Sequence, residues 1–255
     1  MEFVLPRDPK YGWIPDLPDQ RDFPYTQYEA VIPVLRGHAD LRVNCTPVEN
    51  QGKLGSCTAC ALVGNLEYIK LRSLKRIINF SKLFLYYNER VITRQQGTDS
   101  GASLRDGIKT LRKTGDCLET LWPYVVAKFR DKPTPLCYRD AGAYQITSYY
   151  RLHSLNDMKH TLASGYPFVF GFAVYESFES KRTGTTGIVS MPAPRERVIG
   201  GHAVCAVGYD EGKRWFIIRN SWGPRWGDGG YFYLPYDYIS RASLAADFWT
   251  IRDME

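Results

Sequence analysis

The sequence contains no hydrophobic run long enough to cross a membrane. Its longest apolar stretch, Pro167–Tyr175, spans nine residues, whereas a membrane-spanning helix needs about 20. The amino terminus has no basic region followed by an apolar segment, so we predict no secretory signal. These absences predict a soluble protein with no membrane partner.

The sequence has no large excess of charge of either sign. Lys and Arg number 33 and Asp and Glu number 27, which gives a formal net charge of +6 over 255 residues. No block of five or more basic residues occurs, so we predict no nucleic-acid partner. A chain of this length can bury a large core without a metal or a disulfide. We expect a monomer that needs no cofactor.

Proline is concentrated at the amino-terminal end of the chain. Seven of the 15 prolines lie within the first 47 residues, where they remove any helical period. The same stretch is rich in aromatic residues and is therefore too apolar for a solvated tail. We predict that residues 1–36 form an extended segment that lies along a folded body.

The rest of the chain changes from a helical pattern to a strand pattern. Apolar residues recur at helical spacing after Ser56, a candidate N-cap, and further helices are predicted over 84–93 and 103–113. Strands are predicted at 168–174, 202–209, 215–219 and 231–234. This order predicts an α+β fold with a helical lobe over 37–142, an antiparallel β lobe over 143–255 and a cleft between them.

One cysteine lies where a helix would activate it. Cys57 is at the predicted start of a helix, where free N–H groups and the helix dipole favour the thiolate. Upstream, Gln51 carries an amide donor, and Gly52 and Gly55 let the backbone approach a ligand closely. A loop that stabilises an oxyanion needs these features. Taken alone, Gln51 is more often just a surface glutamine.

Histidine is rare, and one of the four histidines differs from the others. His202 begins an apolar strand, whereas the other three lie in polar surroundings. Asn220 follows another predicted strand, and an asparagine carbonyl can orient an imidazole that exchanges protons with a thiol. Trp222 would shield that hydrogen bond from water. Taken singly, these residues also fit a buried histidine and a turn at a strand end.

Together, three segments resemble the motifs of the papain family of cysteine proteases, in particular its bacterial members. They are Gln51 followed by five residues and Cys57, then Gly201-His202-Ala203, and then Asn220-Ser221-Trp222-Gly223. His202 and Asn220 lie 145 and 163 residues after Cys57. The first spacing is within the family's usual range of about 130–150 residues and the second is somewhat beyond it. The resemblance covers about residues 40–233.

The resemblance implies a papain-like fold of two lobes, the second built on an antiparallel, β-barrel-like sheet. It also implies an enzyme that hydrolyses peptide bonds in peptide or protein substrates. The implied site residues are the catalytic Cys57, His202 and Asn220, the oxyanion residue Gln51, the triad-supporting Trp222 and the substrate-groove candidates Ser100, Gly101 and Gly201.

Residues 1–36 stand where the family's precursors carry a propeptide, although theirs is usually longer and contains helices. Two functions of this segment remain open. It either crosses the cleft and blocks substrates, as in a zymogen, or covers apolar surface elsewhere on the body.

Two departures from the family's Cys-Gly-Ser-Cys-Trp motif concern stability rather than catalysis. Leu54 stands at the place of the first cysteine, so the disulfide that the family forms there is excluded. Thr58 stands at the place of the aromatic residue, so another group must fill the space beside it.

Two other classes of function remain as alternatives. Cys57 and Cys60 have the spacing of a redox dithiol or of half a zinc site. No second such pair occurs and the histidines have no ligand spacing, so we predict no metal. The other alternative is a non-catalytic binding module on a papain-like fold, which would need none of the four residues Cys57, His202, Asn220 and Gln51.

Overall fold

A computed structural model describes residues 10–25 and 35–254 of the chain. The helices in these residues are α1 (Cys57–Leu74), α2 (Lys82–Ile92), α3 (Leu104–Lys113), α4 (Pro135–Ala141), α5 (Leu155–Ala163), α6 (Lys181–Thr186) and α7 (Tyr236–Ile239). The strands are β1 (His38–Asp40), β2 (Ile146–Arg151), β3 (Phe168–Tyr175), β4 (Val198–Asp210), β5 (Trp215–Arg219), β6 (Tyr231–Pro235) and β7 (Ala245–Met254).

Helix α1 runs through the interior. Residues 57–70 of this helix are all buried, and its sequence is apolar or small on almost every side, which is typical of a helix surrounded by protein. It packs against α2, α3 and β4, so the start of α1 lies near the strand that carries His202. Neither α1 nor any other helix in the described part of the chain is long and apolar enough to span a membrane.

One antiparallel sheet forms the second half of the molecule. Its strand order is β2-β7-β3-β4-β5-β6, and β1 also pairs with β4. Within the described residues β2 and β6 are not paired with each other, so the sheet is open and lacks the barrel-like closure that the resemblance implies. Alternate residues of β3, namely Phe168, Phe170 and Phe172, enter an aromatic core with Phe216 and Phe232.

Most of the predicted elements are confirmed. The three helices predicted after Ser56 and over 84–93 and 103–113 are α1, α2 and α3, and the four predicted strands are β3 to β6. Strand β4 begins four residues earlier than predicted, at Val198. Ser56 does precede α1, but its side chain makes no capping bond to the helix. Its Oγ lies 2.5 Å from the Tyr124 hydroxyl instead.

Residues 10–25 lie along the folded body without forming an α-helix. Trp13 and Pro24 form isolated bridges with Ala102 and Arg151. The other parts of the predicted 1–36 segment, residues 1–9 and 26–34, lie outside the described residues. Strand β1, in the predicted helical lobe, pairs with β4, so the sheet includes chain from both predicted lobes.

Candidate active site

Cys57 is the first residue of α1 and is fully buried. The turn before it contains Gly52 at φ 65°, a conformation that glycine adopts without steric cost. Burial raises the pKa of the Cys57 thiol to about 11, although backbone N–H groups of Ala203 and Gly12 act in the opposite direction. Because Ala203 directly follows His202, strand β4 brings the histidine backbone to the start of α1.

The imidazole of His202 is held by Asn220. His202 Nε2 lies 2.8 Å from Asn220 Oδ1, and both side chains are buried. The Trp222 ring centroid is 5.1 Å from that of the imidazole, so the indole helps to exclude water from this bond. His202 Nδ1 has no hydrogen-bond partner among the described residues. This nitrogen is therefore free to exchange a proton with another group.

Burial also shifts the pKa of His202. Burial lowers the pKa of His202 to about 4, a shift that the bond to Asn220 opposes and the charge of Lys10 reinforces. Burial thus acts against the charged form of both groups, the imidazolium of His202 and the thiolate of Cys57.

The amide of Gln51 is fixed on both sides. Gln51 Oε1 accepts a hydrogen bond of 2.5 Å from Ser221 Oγ. Gln51 Nε2 donates to the carbonyl oxygens of Leu54 at 2.9 Å and Lys10 at 3.1 Å. The bond from Ser221, which the sequence analysis did not anticipate, orients the amide so that its N–H groups face backbone carbonyls.

The groove candidates lie along a short run of the amino-terminal segment. Ala102 N donates to the Gly12 carbonyl at 2.8 Å, Ile14 N donates to the Ala102 carbonyl at 2.9 Å, and Trp13 N donates to the Gly201 carbonyl at 3.0 Å. Thus Gly201 contacts the segment directly, and so does Ala102, which follows Gly101.

The other two groove candidates are Gly101 and Ser100, and they make different contacts. A Cβ added to Gly101, which has φ +73°, would lie 2.1 Å from the Gly12 carbonyl oxygen. The Ser100 hydroxyl donates to the Gly101 carbonyl at 3.0 Å, within the same loop. Gly101 therefore permits close approach, and Ser100 supports the loop.

The segment is packed tightly against the catalytic candidates. The Tyr11 ring centroid lies 6.0 Å from the imidazole of His202 and 5.9 Å from Trp222. The Tyr11 hydroxyl donates to Glu179. A Cβ added to Gly12 would lie 1.7 Å from the Gly55 carbonyl oxygen. No side chain larger than hydrogen fits at residue 12 in this arrangement.

Charged side chains hold the following residues of the segment. Arg151 Nη1 lies 3.1 Å from Asp16 Oδ2 and 3.0 Å from Asp22 Oδ2, and Arg151 Nη2 lies 2.8 Å from Asp247 Oδ1. Arg105 Nη2 lies 2.5 Å from Asp22 Oδ2. Breaking a buried ion pair leaves an uncompensated charge, so these carboxylates fix the position of residues 16–22.

Asp247 makes the stability of this region depend on pH. Burial, together with the nearby charge of Asp16, raises the pKa of Asp247 from 3.8 to about 6. Its contribution to stability is therefore fully present below pH 3.8 and is lost as the pH rises through 6. Between pH 4 and 7, we expect the free energy of unfolding of the parent chain to fall by up to about 3 kcal/mol more than that of Asp247→Asn, whose side chain stays neutral.

Urea unfolding at four pH values between 4 and 7 measures this difference. Asp237→Asn is the matched control, because the Asp237 carboxylate is exposed. Parallel pH profiles for the parent chain and Asp247→Asn would contradict the expected role of Asp247.

The space beside Thr58 is filled by a polar pair. Thr58 Oγ1 donates to Glu89 Oε2 of α2 at 2.8 Å, and both residues are buried. Burial raises the pKa of Glu89 well above its usual value. Glu89 could not be predicted from the sequence, because nothing in the local pattern of α2 distinguishes it from a surface glutamate.

The neighbourhood of Cys60 gives no support to a metal site. Cys60 is buried one turn into α1, and burial raises the pKa of its thiol. Among residues 10–25 and 35–254, no group of three or more His, Cys, Asp and Glu side chains is placed to hold a metal ion.

Comparison with known proteins identifies the family. Residues 36–248 match the family described as Papain family cysteine protease. The structure is similar to the crystal structure of xylellain, a cysteine protease from Xylella fastidiosa, with a TM-score of 0.90 and 42% sequence identity. The match covers 99% of this chain and 100% of that chain. It is a close structural relative rather than the same protein.

Two sequence relatives agree with this match. An uncharacterised peptidase C1-like protein of Acanthamoeba polyphaga mimivirus is 40% identical over 270 residues, 96% of this chain and 87% of the relative. Pro-cathepsin H of Bos taurus is 31% identical over 198 residues, 74% of this chain and 56% of the relative. The chain belongs to the papain family of cysteine proteases and is a hydrolase of peptide bonds.

Proposed function

We propose that Cys57, His202 and Asn220 form the catalytic triad of this protease. The Cys57 thiolate attacks the scissile carbonyl, and His202 gives a proton to the leaving amine, which leaves a thioester on Cys57. His202 then takes a proton from water, and the resulting hydroxide breaks the thioester. Asn220 keeps the imidazole in the required orientation and tautomer, as its 2.8 Å contact with His202 Nε2 supports.

In the same proposal, Gln51 and the backbone N–H of Cys57 stabilise the oxyanion. The support is that Gln51 Nε2 already donates to a peptide carbonyl, that of Lys10, at 3.1 Å. Ser221 holds the amide from its other end. A donor fixed before the reaction needs no reorganisation when charge develops on the oxygen, and one such donor is worth about 3–4 kcal/mol in a comparable enzyme.

The same proposal assigns residues 1–36 to keeping the enzyme latent. The observation that carries it is that one short run, residues 10–14, contacts Gln51, Cys57, His202, Ala102 and Gly201 together. A substrate that is to reach Cys57 needs the space that this run fills. The alternative that the segment only covers surface elsewhere does not account for these contacts.

In this proposal, the segment keeps the enzyme latent by shifting the pKa values of Cys57 and His202 as well as by blocking substrates. Burial raises the pKa of Cys57 to about 11 and lowers that of His202 to about 4, because each charged form loses its hydration. Displacing the segment admits water to both groups. The pKa of His202 then rises and that of Cys57 falls, which favours the ion pair.

Alkylation of Cys57 tests this electrostatic change. In the full chain we expect iodoacetamide to modify Cys57 slowly at pH 7, with a rate that rises only in alkaline solution. In Trp13→Ala, which removes a buried side chain from the segment, we expect rapid modification extending to mildly acidic pH. Peptide mass spectrometry of samples quenched between pH 4 and 10 gives the rate at this cysteine.

Cys45 is the internal control in each sample, because it is half-buried and has no contact with Trp13 among the hydrogen bonds of the described residues. Identical pH profiles of Cys57 in the two proteins would contradict the proposed latency.

A further inference from the structure

Two buried cysteines outside the candidate active site lie next to each other. Cys117 is in the connection that follows α3, and Cys137 is in α4. Both are free thiols, and both side chains are fully buried. They form one small hydrophobic cluster with Phe84 and Ala141. The proposed mechanism of the protease assigns no role to either thiol.

A hydrogen bond to helix α4 brings the two cysteines together. The backbone N–H of Leu118 donates to Asp140 Oδ2 at 2.9 Å, so the residue directly after Cys117 is attached to α4. Cys137 and Asp140 are three residues apart in this helix, and residues with this spacing lie on the same helix face. The side chain of Cys137 is therefore carried to the position of Cys117.

The two thiols also interact with each other. Burial raises the pKa of the Cys117 thiol, and the charges of Asp116 and Cys137 and a hydrogen bond between the two thiols act in the same direction. Nearby, a Cβ added to Gly115 would lie 1.9 Å from the Ala141 carbonyl oxygen, so the backbones are in close contact. A disulfide needs two cysteines whose Cβ atoms are about 4 Å apart and point towards each other, which is the arrangement of two thiols in contact.

The chain between the two cysteines supports the loop before α1. Residues 118–136 include Tyr124, whose hydroxyl donates to the Gln51 carbonyl at 3.0 Å. The same hydroxyl lies 2.5 Å from Ser56 Oγ. Before α4 this stretch forms one short 3-10 helix, Val126–Lys128, and no α-helix. Its position therefore depends on contacts such as those of Tyr124, and closing its two ends would restrain it.

We propose that Cys117 and Cys137 are a modification site at which oxidation forms a disulfide, and that this disulfide closes the loop that carries Tyr124. The pair is distinct from the disulfide that Leu54 excludes. It is also distinct from the proposed nucleophile, so this inference does not depend on the proposed function.

The oxidant is a low-molecular-weight disulfide such as oxidised glutathione. The thiolate of Cys137 attacks one sulfur of the oxidant, forms a mixed disulfide and expels the first small thiolate. The thiolate of Cys117 then attacks the Cys137 sulfur and expels the second one. The protein loses two protons and two electrons, and the oxidant gains them as two small thiols. Local opening of α4, whose outer residues Leu136 and Arg139 are exposed, admits the oxidant to Cys137.

The test compares the unsubstituted chain before and after exposure to oxidised glutathione. Free thiols are alkylated, and the chain is then digested with trypsin. Because trypsin cleaves after Lys128 and Arg130, which lie between the two cysteines, the peptides 114–128 and 131–139 stay together only if a disulfide joins them. We expect this joined pair after oxidation, two hydrogen masses lighter than the sum of its peptides, and its separation by dithiothreitol.

The oxidised chain is expected to have a Tm about 6–12 °C above that of the reduced chain, because closing a loop of this length constrains the unfolded state. In Cys117→Ala and in Cys137→Ala, the same treatment should produce neither the joined peptides nor this rise. Cys45→Ala is the matched control, since it removes a free cysteine from another part of the chain. It should keep both effects.

Three results would overturn the assignment. The first is the absence of the joined peptides both in the folded chain and in a chain refolded from urea with oxidised glutathione. The second is a joined pair without a rise in Tm, and the third is the same rise in Cys137→Ala. The comparison of oxidised and reduced unsubstituted chain stands even if a variant fails to fold. Peptide hydrolysis is not part of the readout, so the outcome is independent of the protease proposal.

Discussion

Cys57→Ala is expected to abolish peptide hydrolysis, lowering kcat/KM by roughly a million-fold, as loss of the nucleophile does in a comparable serine protease. The remaining groups, His202, Asn220 and Gln51, cannot form the thioester without the sulfur. Hydrolysis of a fluorogenic peptide by the Trp13→Ala chain, with and without Cys57→Ala, measures the effect. The comparison is made in that background because the segment is expected to be displaced there.

The fold should survive this substitution, since a cysteine is replaced by a smaller residue with good helix propensity at the first position of α1. Cys60→Ala is the matched control, because Cys60 is a buried thiol on the same helix and has no catalytic role in the proposal. Hydrolysis near the parent rate by Cys57→Ala, or its loss in Cys60→Ala with an unchanged circular dichroism spectrum, would refute the assignment of the nucleophile.

Deletion of residues 1–36 is expected to raise kcat/KM by about a hundredfold or more. Docking buries Trp13, and truncating a buried tryptophan costs about 3–5 kcal/mol. The ion pairs of Asp16 and Asp22 with Arg151 and Arg105 add to it. Activity of the two chains on one peptide, together with their thermal unfolding, measures both consequences of the deletion.

Leu17→Ala is the control for this deletion, since Leu17 belongs to the segment but its side chain is 79% exposed. It should leave latency unchanged. Unchanged or lower activity of the deleted chain, with cooperative unfolding retained, would mean that residues 1–36 cover the body without blocking it.

The positions of the candidate site residues at the ends of helices and strands could be predicted from the local sequence. Cys57 was placed at the start of a helix because a polar, glycine-containing stretch gives way there to apolar residues at helical spacing. His202 and Asn220 were selected as polar residues at the ends of apolar strands. Their meeting across β4 and β5 follows from strand pairing, which depends on long-range contacts that no local pattern contains.

The features missed by sequence analysis depend on such long-range contacts. Strand β7 was not predicted, because its ten residues include three charged side chains that are compensated only by distant partners such as Arg151 and Tyr25. The close approach of Trp13 to Gly171 of β3 could not be predicted, for the same reason. One signal was present, since Gly171 interrupts a run of aromatic residues and an isolated glycine in a strand suggests close approach of another group.

The position of Gly12 bears on how, under the proposed function, the protease would hold part of its own chain in its cleft without cutting it. Gln51 donates to the carbonyl of Lys10, whereas the sulfur of Cys57 meets the backbone N–H of Gly12, two residues further on. The group that polarises a carbonyl and the atom that would attack it thus engage different peptide units. In the proposed mechanism, no peptide bond of residues 10–25 is presented to both groups, so the register of the segment, rather than its composition, protects it from cleavage.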